Sequence, residues 1–298
     1  MRKHPVLLGL VLLIALGAVL YFSFYRAGAR GGSVGTQSFS LNDKIGVVPV
    51  EGVITDSLEI TQTIDEFGKD SSIVAVVLRV DSPGGGVAAS QEIYDAVVEL
   101  RKTKKVVVSM GSVAASGGLL IACAGDKIVA NPGTITGSIS AIMQFANVEE
   151  LLKKVGVKSS VVKSGQYKDI GSPMREMTPE EKIILQELID DIYNQFIDVI
   201  VRDRKLTREK VVAIGDGRVF SGRKAKEYGL VDQLGDLATA AKLASVLAGK
   251  NGKYDLVYPR KKHPSVFDYM FESAANQLSR SVTQKAEKWG GVSYLYHP

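Results

Sequence analysis

The sequence predicts an α/β domain with a mostly parallel β-sheet, preceded by one transmembrane helix. Apolar strands alternate with helical segments through the centre of the chain, and Ile73 to Val80 is a near-continuous β-branched run. Alternating strands and helices are typical of a parallel sheet with covering helices, and a wholly apolar strand is typical of one buried on both faces. Val6 to Tyr25 carries no charge over twenty residues, which predicts the transmembrane helix.

Composition narrows the classes of function. The 298 residues are 45% hydrophobic, which is enough to bury the core of one large domain or two small ones. The net charge of +5 is modest, the basic residues are scattered and only 7% of residues are aromatic, so a nucleic-acid surface is not expected. Cys123 is the single cysteine, which excludes an internal disulfide and a cysteine-based zinc site. We expect no metal and no cofactor.

The amino-terminal segment predicts export of the rest of the chain. Val6 to Tyr25 is long enough to cross a bilayer core of roughly 30 Å, and Arg2 and Lys3 precede it. Its far end carries four aromatic residues: Tyr21, Phe22, Phe24 and Tyr25. A cleaved signal peptide remains the alternative, because Ala27-Gly28-Ala29 has the form of a cleavage site. We therefore divide the chain into an anchor (1–25), a flexible linker (26–42), a catalytic domain (43–249) and a carboxyl-terminal extension (250–298).

The elements follow in order. Strands are predicted at Lys44 to Val50, Ile73 to Val80, Val106 to Met110, Lys127 to Ala130 and Val157 to Lys163. Helices are predicted at Ser57 to Phe67, Val87 to Lys102, Ser116 to Ala122, Thr178 to Arg204, Thr207 to Ile214, Ser221 to Tyr228 and Asp236 to Leu247. Thr178 and Glu181 have the spacing of a capping box. The tail predicts a short strand, an amphipathic helix around Val266 to Lys288 and a closing Tyr294-Leu295-Tyr296.

Ser116 is the candidate nucleophile. A β-branched strand ends in Ala114-Ala115-Ser116-Gly117-Gly118 and an apolar helix begins there. The serine would sit at a turn without bulky neighbours, and the free N–H groups of the helix start could hold an oxyanion. Close packing of a helix against a sheet explains the same small residues, so this segment alone leaves both interpretations open.

A nucleophilic serine needs a general base, and the central domain has no histidine to supply it. His4, His263 and His297 lie before the anchor and in the tail, which excludes a Ser-His-Asp triad there. A lysine remains, provided that burial lowers its pKa from about 10.4. Two Ser-x-x-Lys matches are unconvincing. Ser160 and Lys163 would point to opposite faces of a strand, and Ser221 is explained as a helix cap.

Four motifs in order carry a specific resemblance. They are Asp81-Ser82-Pro83-Gly84-Gly85-Gly86, Ala114-Ala115-Ser116-Gly117-Gly118, Ala130-Asn131-Pro132 with Thr136-Gly137-Ser138-Ile139, and Ser164-Gly165-Gln166-Tyr167-Lys168-Asp169. Over Lys44 to Leu247 the chain resembles the SppA-type signal peptide peptidases, in their short form without a duplicated domain. The resemblance implies a crotonase/Clp-protease-like spiral of ββα units. Leu119-Leu120 and Ser140 depart from the common pattern of this family. In the resemblance these positions belong to the walls of the substrate groove and not to the catalytic residues.

The resemblance also implies roles for single residues. Ser116 matches the nucleophile, Lys168 the general base and Ser138 the hydroxyl that orients the lysine. The main-chain N–H groups of Gly85 and Gly117 match the oxyanion hole. The resemblance further implies a ring-shaped homo-oligomer, in which Lys168 could serve the serine of the next subunit.

The function that follows is a membrane-anchored serine endopeptidase that degrades remnant signal peptides or other apolar peptides. We expect a single-pass protein of the bacterial cytoplasmic (inner) membrane, held to lipid by its amino-terminal helix, with the catalytic domain on the extracytoplasmic side. Three alternatives stay open: a protease acting on other membrane proteins, a crotonase-like acyl-CoA enzyme, and a scaffold without activity.

Overall fold

The computed structural model describes residues 43–259 and 293–295. The strands are β1 (Asp43–Glu51), β2 (Ile73–Ser82), β3 (Gly84–Gly86), β4 (Lys105–Ala115), β5 (Lys127–Ala130), β6 (Ile135–Gly137), β7 (Val219–Ser221), β8 (Gln233–Leu234), β9 (Tyr254–Val257) and β10 (Ser293–Leu295). The helices are α1 (Leu58–Lys69), α2 (Val87–Leu100), α3 (Gly117–Cys123), α4 (Glu149–Lys154), α5 (Pro179–Arg204), α6 (Arg208–Ile214), α7 (Gly222–Glu227) and α8 (Leu237–Leu247).

The main sheet of the described residues is mixed and mostly parallel. Its order is β7-β6-β4-β2-β1-β9, with β5 beside β4 and β8 beside β5. Only β6 and β7 pair antiparallel within it. The central strand β4 is long enough to pair with β2 and β5 along its first half and with β6 at its end. The predicted α/β class is therefore confirmed.

Helices cover both faces of the sheet, which explains the apolar strands. Alternate residues of β2 face opposite ways. Val76, Leu78 and Val80 join the larger core beneath α1, α2, α3 and α5, while Ala75 and Val77 pack under α8. The sequence of β2 is apolar on both faces because each face has a helical layer to pack against.

Most predicted elements are confirmed, and one is wrong. The predicted strand at Val157 to Lys163 has no regular structure, and Val162 in its middle is fully exposed. No strand of the described residues pairs with it, and β-branched composition alone does not satisfy the backbone hydrogen bonds of a strand. The three-residue strands β3 and β6, which flank the candidate nucleophile, were not predicted from the sequence.

Two predicted segments lie outside the described residues. They are the transmembrane helix at Val6 to Tyr25 and the amphipathic helix around Val266 to Lys288. Among residues 43–259 and 293–295, no helix is both long and apolar enough to cross a membrane.

Candidate active site

Ser116 occupies a sharp turn between β4 and α3. Its φ of 55° and ψ of −118° lie outside the regions that L-residues normally adopt, which marks local backbone strain. The hydroxyl is fully buried, and its Oγ has no hydrogen-bond partner in the described part of the chain. A buried hydroxyl without a partner costs stability, and together with the strained backbone it makes Ser116 a candidate for a role in chemistry.

Ser138 lies beside Ser116 on the neighbouring strand. Strand β6 pairs parallel with the end of β4, and Ala115 lies opposite Gly137. Each serine follows directly after its member of this pair, so the two backbones are about one strand spacing apart, roughly 4.8 Å. Ser138 is buried and also has a positive φ, of 52°. The structure thus brings the backbones of two of the predicted catalytic residues close together.

The glycines after Ser116 allow the Ser82–Gly84 backbone and the side chain of Ser90 to lie close to this turn. A Cβ on Gly117 would lie 2.5 Å from the Oγ of Ser90 and 3.4 Å from the Cα of Gly84, and one on Gly118 would lie 2.9 Å from the carbonyl oxygen of Ser82. The small residues after Ser116 therefore serve close packing, as one interpretation of the sequence required. The same packing holds the Ser82–Gly84 backbone against the turn that carries the serine.

Gly85 lies in β3, and its N–H points away from Ile54, the residue that forms a parallel β-bridge with it. Ile54 donates its N–H to the carbonyl oxygen of Gly84 at 2.9 Å, and Gly86 donates its N–H to the carbonyl oxygen of Ile54 at 2.7 Å. Because successive N–H groups of a strand alternate in direction, the N–H of Gly85 faces the opposite side. A Cβ on Gly85 would lie 2.0 Å from the carbonyl oxygen of Ile54, so no other residue fits here.

Lys168 lies on an exposed turn far along the chain from these strands. Its N–H donates to the carbonyl oxygen of Gly165 at 3.2 Å, and its side chain is exposed. Because the Oγ of Ser116 has no partner among the described residues, Lys168 does not hydrogen-bond it within one chain.

The turn that carries Lys168 is fixed to the start of α5 by Arg175. The Nε and Nη2 of Arg175 donate to the two carboxylate oxygens of Asp169 at 3.0 and 2.9 Å. Its Nη1 donates to Oε2 of Glu181 at 2.8 Å. We call Asp169, Arg175 and Glu181 the clamp. The sequence analysis assigned no role to Arg175. The only signal for this residue was its spacing of six positions from both Asp169 and Glu181.

Glu181 belongs to both the clamp and the helix cap. It is almost fully buried and accepts the N–H of Thr178 at 2.9 Å, which confirms the predicted capping box. Hydrogen bonds from Arg175, and then from the N–H of Thr178, lower the pKa of Glu181 to about 2. The same guanidinium, together with Lys163, holds the pKa of Asp169 well below its usual range.

Other chemistries find little support among residues 43–259 and 293–295. No group of three or more histidine, cysteine or acidic side chains in this part of the chain could hold a metal ion. Cys123 is buried in α3, and burial raises the pKa of its thiol to about 12. A thiol that stays protonated is a poor nucleophile, so Cys123 is not a candidate for that role.

The comparisons with known proteins agree with this geometry. Residues 98–251 match peptidase family S49, and residues 52–135 match the Clp protease family. The chain belongs to peptidase family S49. A Synechocystis protein named as a candidate protease is 46% identical over 215 residues, which are 70% of this chain and 76% of that protein. An Enterococcus faecium protein named as a candidate signal peptide peptidase SppA is 35% identical over 209 residues, 65% of this chain and 60% of that protein.

Longer relatives match only in part. Protease 4 of Salmonella typhi is 40% identical over 210 residues, which are 70% of this chain but 34% of the relative. This S49 peptidase is thus similar to SppA and protease 4, and it has a Clp-protease-like α/β fold, as the motifs around Ser82, Ser116 and Lys168 predicted.

The S49 peptidase exposes an apolar segment between β6 and α5. Nine large apolar side chains are exposed there: Ile142, Phe145, Leu151, Val155, Val157, Val161, Val162, Tyr167 and Met174. This apolar segment also contains Lys168. Many exposed large apolar side chains within one segment favour a contact with another molecule.

Proposed function

We propose that this chain is a serine endopeptidase with a Ser116–Lys168 dyad. The observation that carries the proposal is the buried, strained Ser116, whose Oγ lacks a partner while it lies beside the glycine backbones of β3 and α3. A buried hydroxyl that bonds no base among the described residues fits a site that a second component completes. Residues 43–259 contain no histidine, so a lysine is the remaining common base.

The reaction follows from these positions. Neutral Lys168 removes the proton of Ser116 as Oγ attacks a peptide carbonyl carbon, and Ser138 orients the amine. The N–H groups of Gly85 and Gly117 donate to the oxyanion that develops. The C–N bond then breaks, Lys168 protonates the leaving amine, and the same base activates the water that hydrolyses the acyl-enzyme.

The proposed site is shared between subunits of a homo-oligomer. Lys168 lies on the exposed apolar segment and does not reach Ser116 of its own chain. A second copy of the chain is the occupant that would cover this segment and receive its lysine. Packing against the neighbour would also exclude water from the amine and lower its pKa, as a lysine base requires.

The proposed substrate is an extended apolar peptide, such as a remnant signal peptide in the bacterial cytoplasmic membrane. The short strand β3 pairs antiparallel with β10 at Gly85, and an extended peptide chain can add to the same edge in that way. The anchor expected at residues 6–25 would hold the catalytic domain beside membrane-bound peptides on the extracytoplasmic side and raise their effective concentration. Cleavage of other membrane proteins remains the alternative substrate class.

The test uses the full chain in detergent with a synthetic signal peptide. Wild type should cleave the peptide, and Ser116→Ala and Lys168→Ala should each lower the rate by about 10³-fold or more. Lys158→Ala is the matched control, since Lys158 is also an exposed lysine of the apolar segment, and it should retain activity. Equal rates for wild type and Lys168→Ala would refute the assignment of the base.

Subunit mixing tests the shared site. Ser116→Ala and Lys168→Ala proteins, each inactive alone, should recover activity when they exchange subunits, because some interfaces then combine an intact serine with an intact lysine. Absence of recovery after demonstrated exchange would place the dyad within one chain.

A further inference from the structure

Strand β4 contains an irregular stretch shortly before the candidate nucleophile. Its pairing with β2 is regular up to Met110, and it resumes where Ser82 lies opposite Ala114. Only Asp81 of β2 therefore faces the three residues 111–113 of β4. A regular pair has one residue opposite one, so β4 carries two extra residues here, as in a β-bulge. We call residues 111–113 the bulge.

The bulge sets how far Ser116 extends beyond the end of β2. Ser116 lies two positions after the residue that faces Ser82, about 7 Å along the strand. Without the extra residues, Ser112 would face Ser82, and Ser116 would lie four positions further on, about 13 Å along the strand. The shorter distance agrees with the close packing after the serine, where a Cβ on Gly118 would lie 2.9 Å from the carbonyl oxygen of Ser82. The bulge thus draws the serine back towards the backbone of β3.

Asp81, the first residue of the first motif, holds the bulge from the side of β2. Its Oδ1 accepts the N–H of Val113 at 3.0 Å, next to the position where regular pairing resumes. A Cβ on Gly111 would lie 2.6 Å from both Cγ and Oδ2 of Asp81, so the carboxylate lies against the first residue of the bulge. The side chain of Asp81 therefore contacts both ends of the bulge and supplies an acceptor that the interrupted pairing lacks.

Thr134 holds the bulge from the opposite side. Strand β4 changes its neighbour here, from β5 to β6. Thr134 is buried directly before β6, and its hydroxyl donates to the carbonyl oxygen of Gly111 at 2.7 Å. The bulge and Thr134 also line an open cavity of about 450 Å³. Because packing does not fill that side, the hydrogen bonds of Asp81 and Thr134 restrain the bulge.

We infer that Asp81 is a positioning residue for Ser116, and that Thr134 supports it from the neighbouring strand. This inference rests on the proposed function, in which Ser116 attacks and the N–H of Gly85 donates to the oxyanion. Asp81 acts through the backbone of β4, since its bond to that backbone fixes the strand end that carries the serine. A displacement of reacting groups by roughly 1 Å can cost about 10²-fold in rate, so the register of this strand end decides the rate of attack.

The first experiment measures acylation of Ser116 by a serine-reactive probe in the full chain in detergent. Asp81→Ala removes the acceptor, whereas Asp81→Asn keeps an oxygen that can accept the N–H of Val113. We expect the acylation rate constant to fall about 10- to 100-fold in Asp81→Ala and to stay within about threefold of wild type in Asp81→Asn. For a synthetic signal peptide, kcat should fall by the same factor with little change in KM.

Two results would overturn the inference at this step. Equal acylation rate constants for wild type and Asp81→Ala would show that the carboxylate does not position the serine. A loss in Asp81→Asn as large as that in Asp81→Ala would show that the negative charge acts, and not the accepted N–H.

Asp126→Ala is the matched control for a loss of stability. Asp126 accepts the N–H of Val106 at 2.8 Å, at the other end of the same strand. Both substitutions remove a carboxylate that bonds the backbone of β4, so both should lower the midpoint of chemical unfolding. Only Asp81→Ala should slow acylation. Equal slowing in the two variants would reduce the effect to general destabilisation and would overturn the inference.

A second pair of variants tests the bulge without changing a charge. Thr134→Val removes the hydroxyl that bonds Gly111, and Thr134→Ser keeps it. We expect acylation to slow by about threefold or more in Thr134→Val and to stay near the wild-type rate in Thr134→Ser. Unchanged acylation in Thr134→Val would overturn the inference even where Asp81→Ala does not fold.

The inference and the proposed function fail in different ways. If wild type and Asp81→Ala label Ser116 and cleave the signal peptide equally fast, the inference fails and the proposed function stands. If wild type neither labels at Ser116 nor cleaves the peptide, the proposed function fails, and the inference fails with it.

Discussion

The main-chain N–H of Ser116 donates a hydrogen bond to the carbonyl oxygen of Gly137 at 2.8 Å. This bond extends the pairing of β4 and β6 by one residue beyond Ala115 and joins the turns that carry Ser116 and Ser138. A further bond within the pair, from Oγ1 of Thr136 to the carbonyl oxygen of Ala114 at 2.6 Å, holds the register. Ser116 and Ser138 are thus positioned by backbone pairing rather than by hydrogen bonds of their own side chains.

Ser116→Ala should separate activity from stability. The variant should lose peptide cleavage and acylation while its free energy of unfolding rises by about 1 kcal/mol, because an unsatisfied buried hydroxyl is removed. Ser245→Ala is the matched control, since Ser245 in α8 is also buried with an unpartnered Oγ. It should gain similar stability and keep full activity. Chemical denaturation and peptide cleavage assays measure the two quantities, and a large loss of stability in Ser116→Ala would contradict this account of the turn.

Gly85→Ala should disrupt the groove. The added Cβ would lie 2.0 Å from the carbonyl oxygen of Ile54, so β3 must move away from Ile54. We expect a loss of about 1–3 kcal/mol in the free energy of unfolding and a loss of activity, since the N–H of Gly85 is displaced. Gly133→Ala is the control, because its Cβ would meet no atom within 4 Å. Thermal unfolding and cleavage rates are measured on both variants. Equal values for Gly85→Ala and Gly133→Ala would contradict this account of β3.

Arg175→Ala should act on catalysis through the position of Lys168. Without the guanidinium, Asp169 and the turn that carries Lys168 lose their link to the start of α5. We expect kcat to fall roughly 10- to 100-fold with little change in KM, because the base is misplaced while the peptide edge is intact. Arg208→Ala removes another arginine that pairs near α5, with Asp198, and should leave kcat unchanged. A change in KM alone, with kcat preserved, would count against a positioning role.

Acid should loosen the start of α5 over a defined range. The folded pKa of Glu181 is about 2, against an ordinary value of 4.5. A lowered pKa stabilises the folded state above the ordinary value, and this contribution disappears as pH falls from about 4.5 towards 2. Denaturation midpoints measured across this range should fall more steeply for wild type than for Glu181→Gln, which cannot titrate. Parallel curves would show that Glu181 contributes no such pH dependence.

The sequence by itself determined the fold class and the family. The apolar strands between helical segments fixed the α/β class, because a strand without polar residues must be covered on both faces. The ordered motifs around Ser82, Ser116 and Lys168 indicated the family now shown by the comparisons. The absence of histidine between 43 and 259 led to the prediction of a lysine base, which stays a prediction. These features depend on residue types and spacing, which a sequence records directly.

Only the tertiary structure decided which backbones meet at the nucleophile. Strands β3 and β6 are three residues long, too short for any periodicity, and their conformation comes from pairing with Ile54 and with the end of β4. The clamp at Arg175 and the strand β10 on Gly84–Gly86 join residues through contacts that no local pattern encodes. The physical reason is the same in each case: a short segment takes its structure from the hydrogen-bond partner that the fold brings to it, and that partner is distant in sequence.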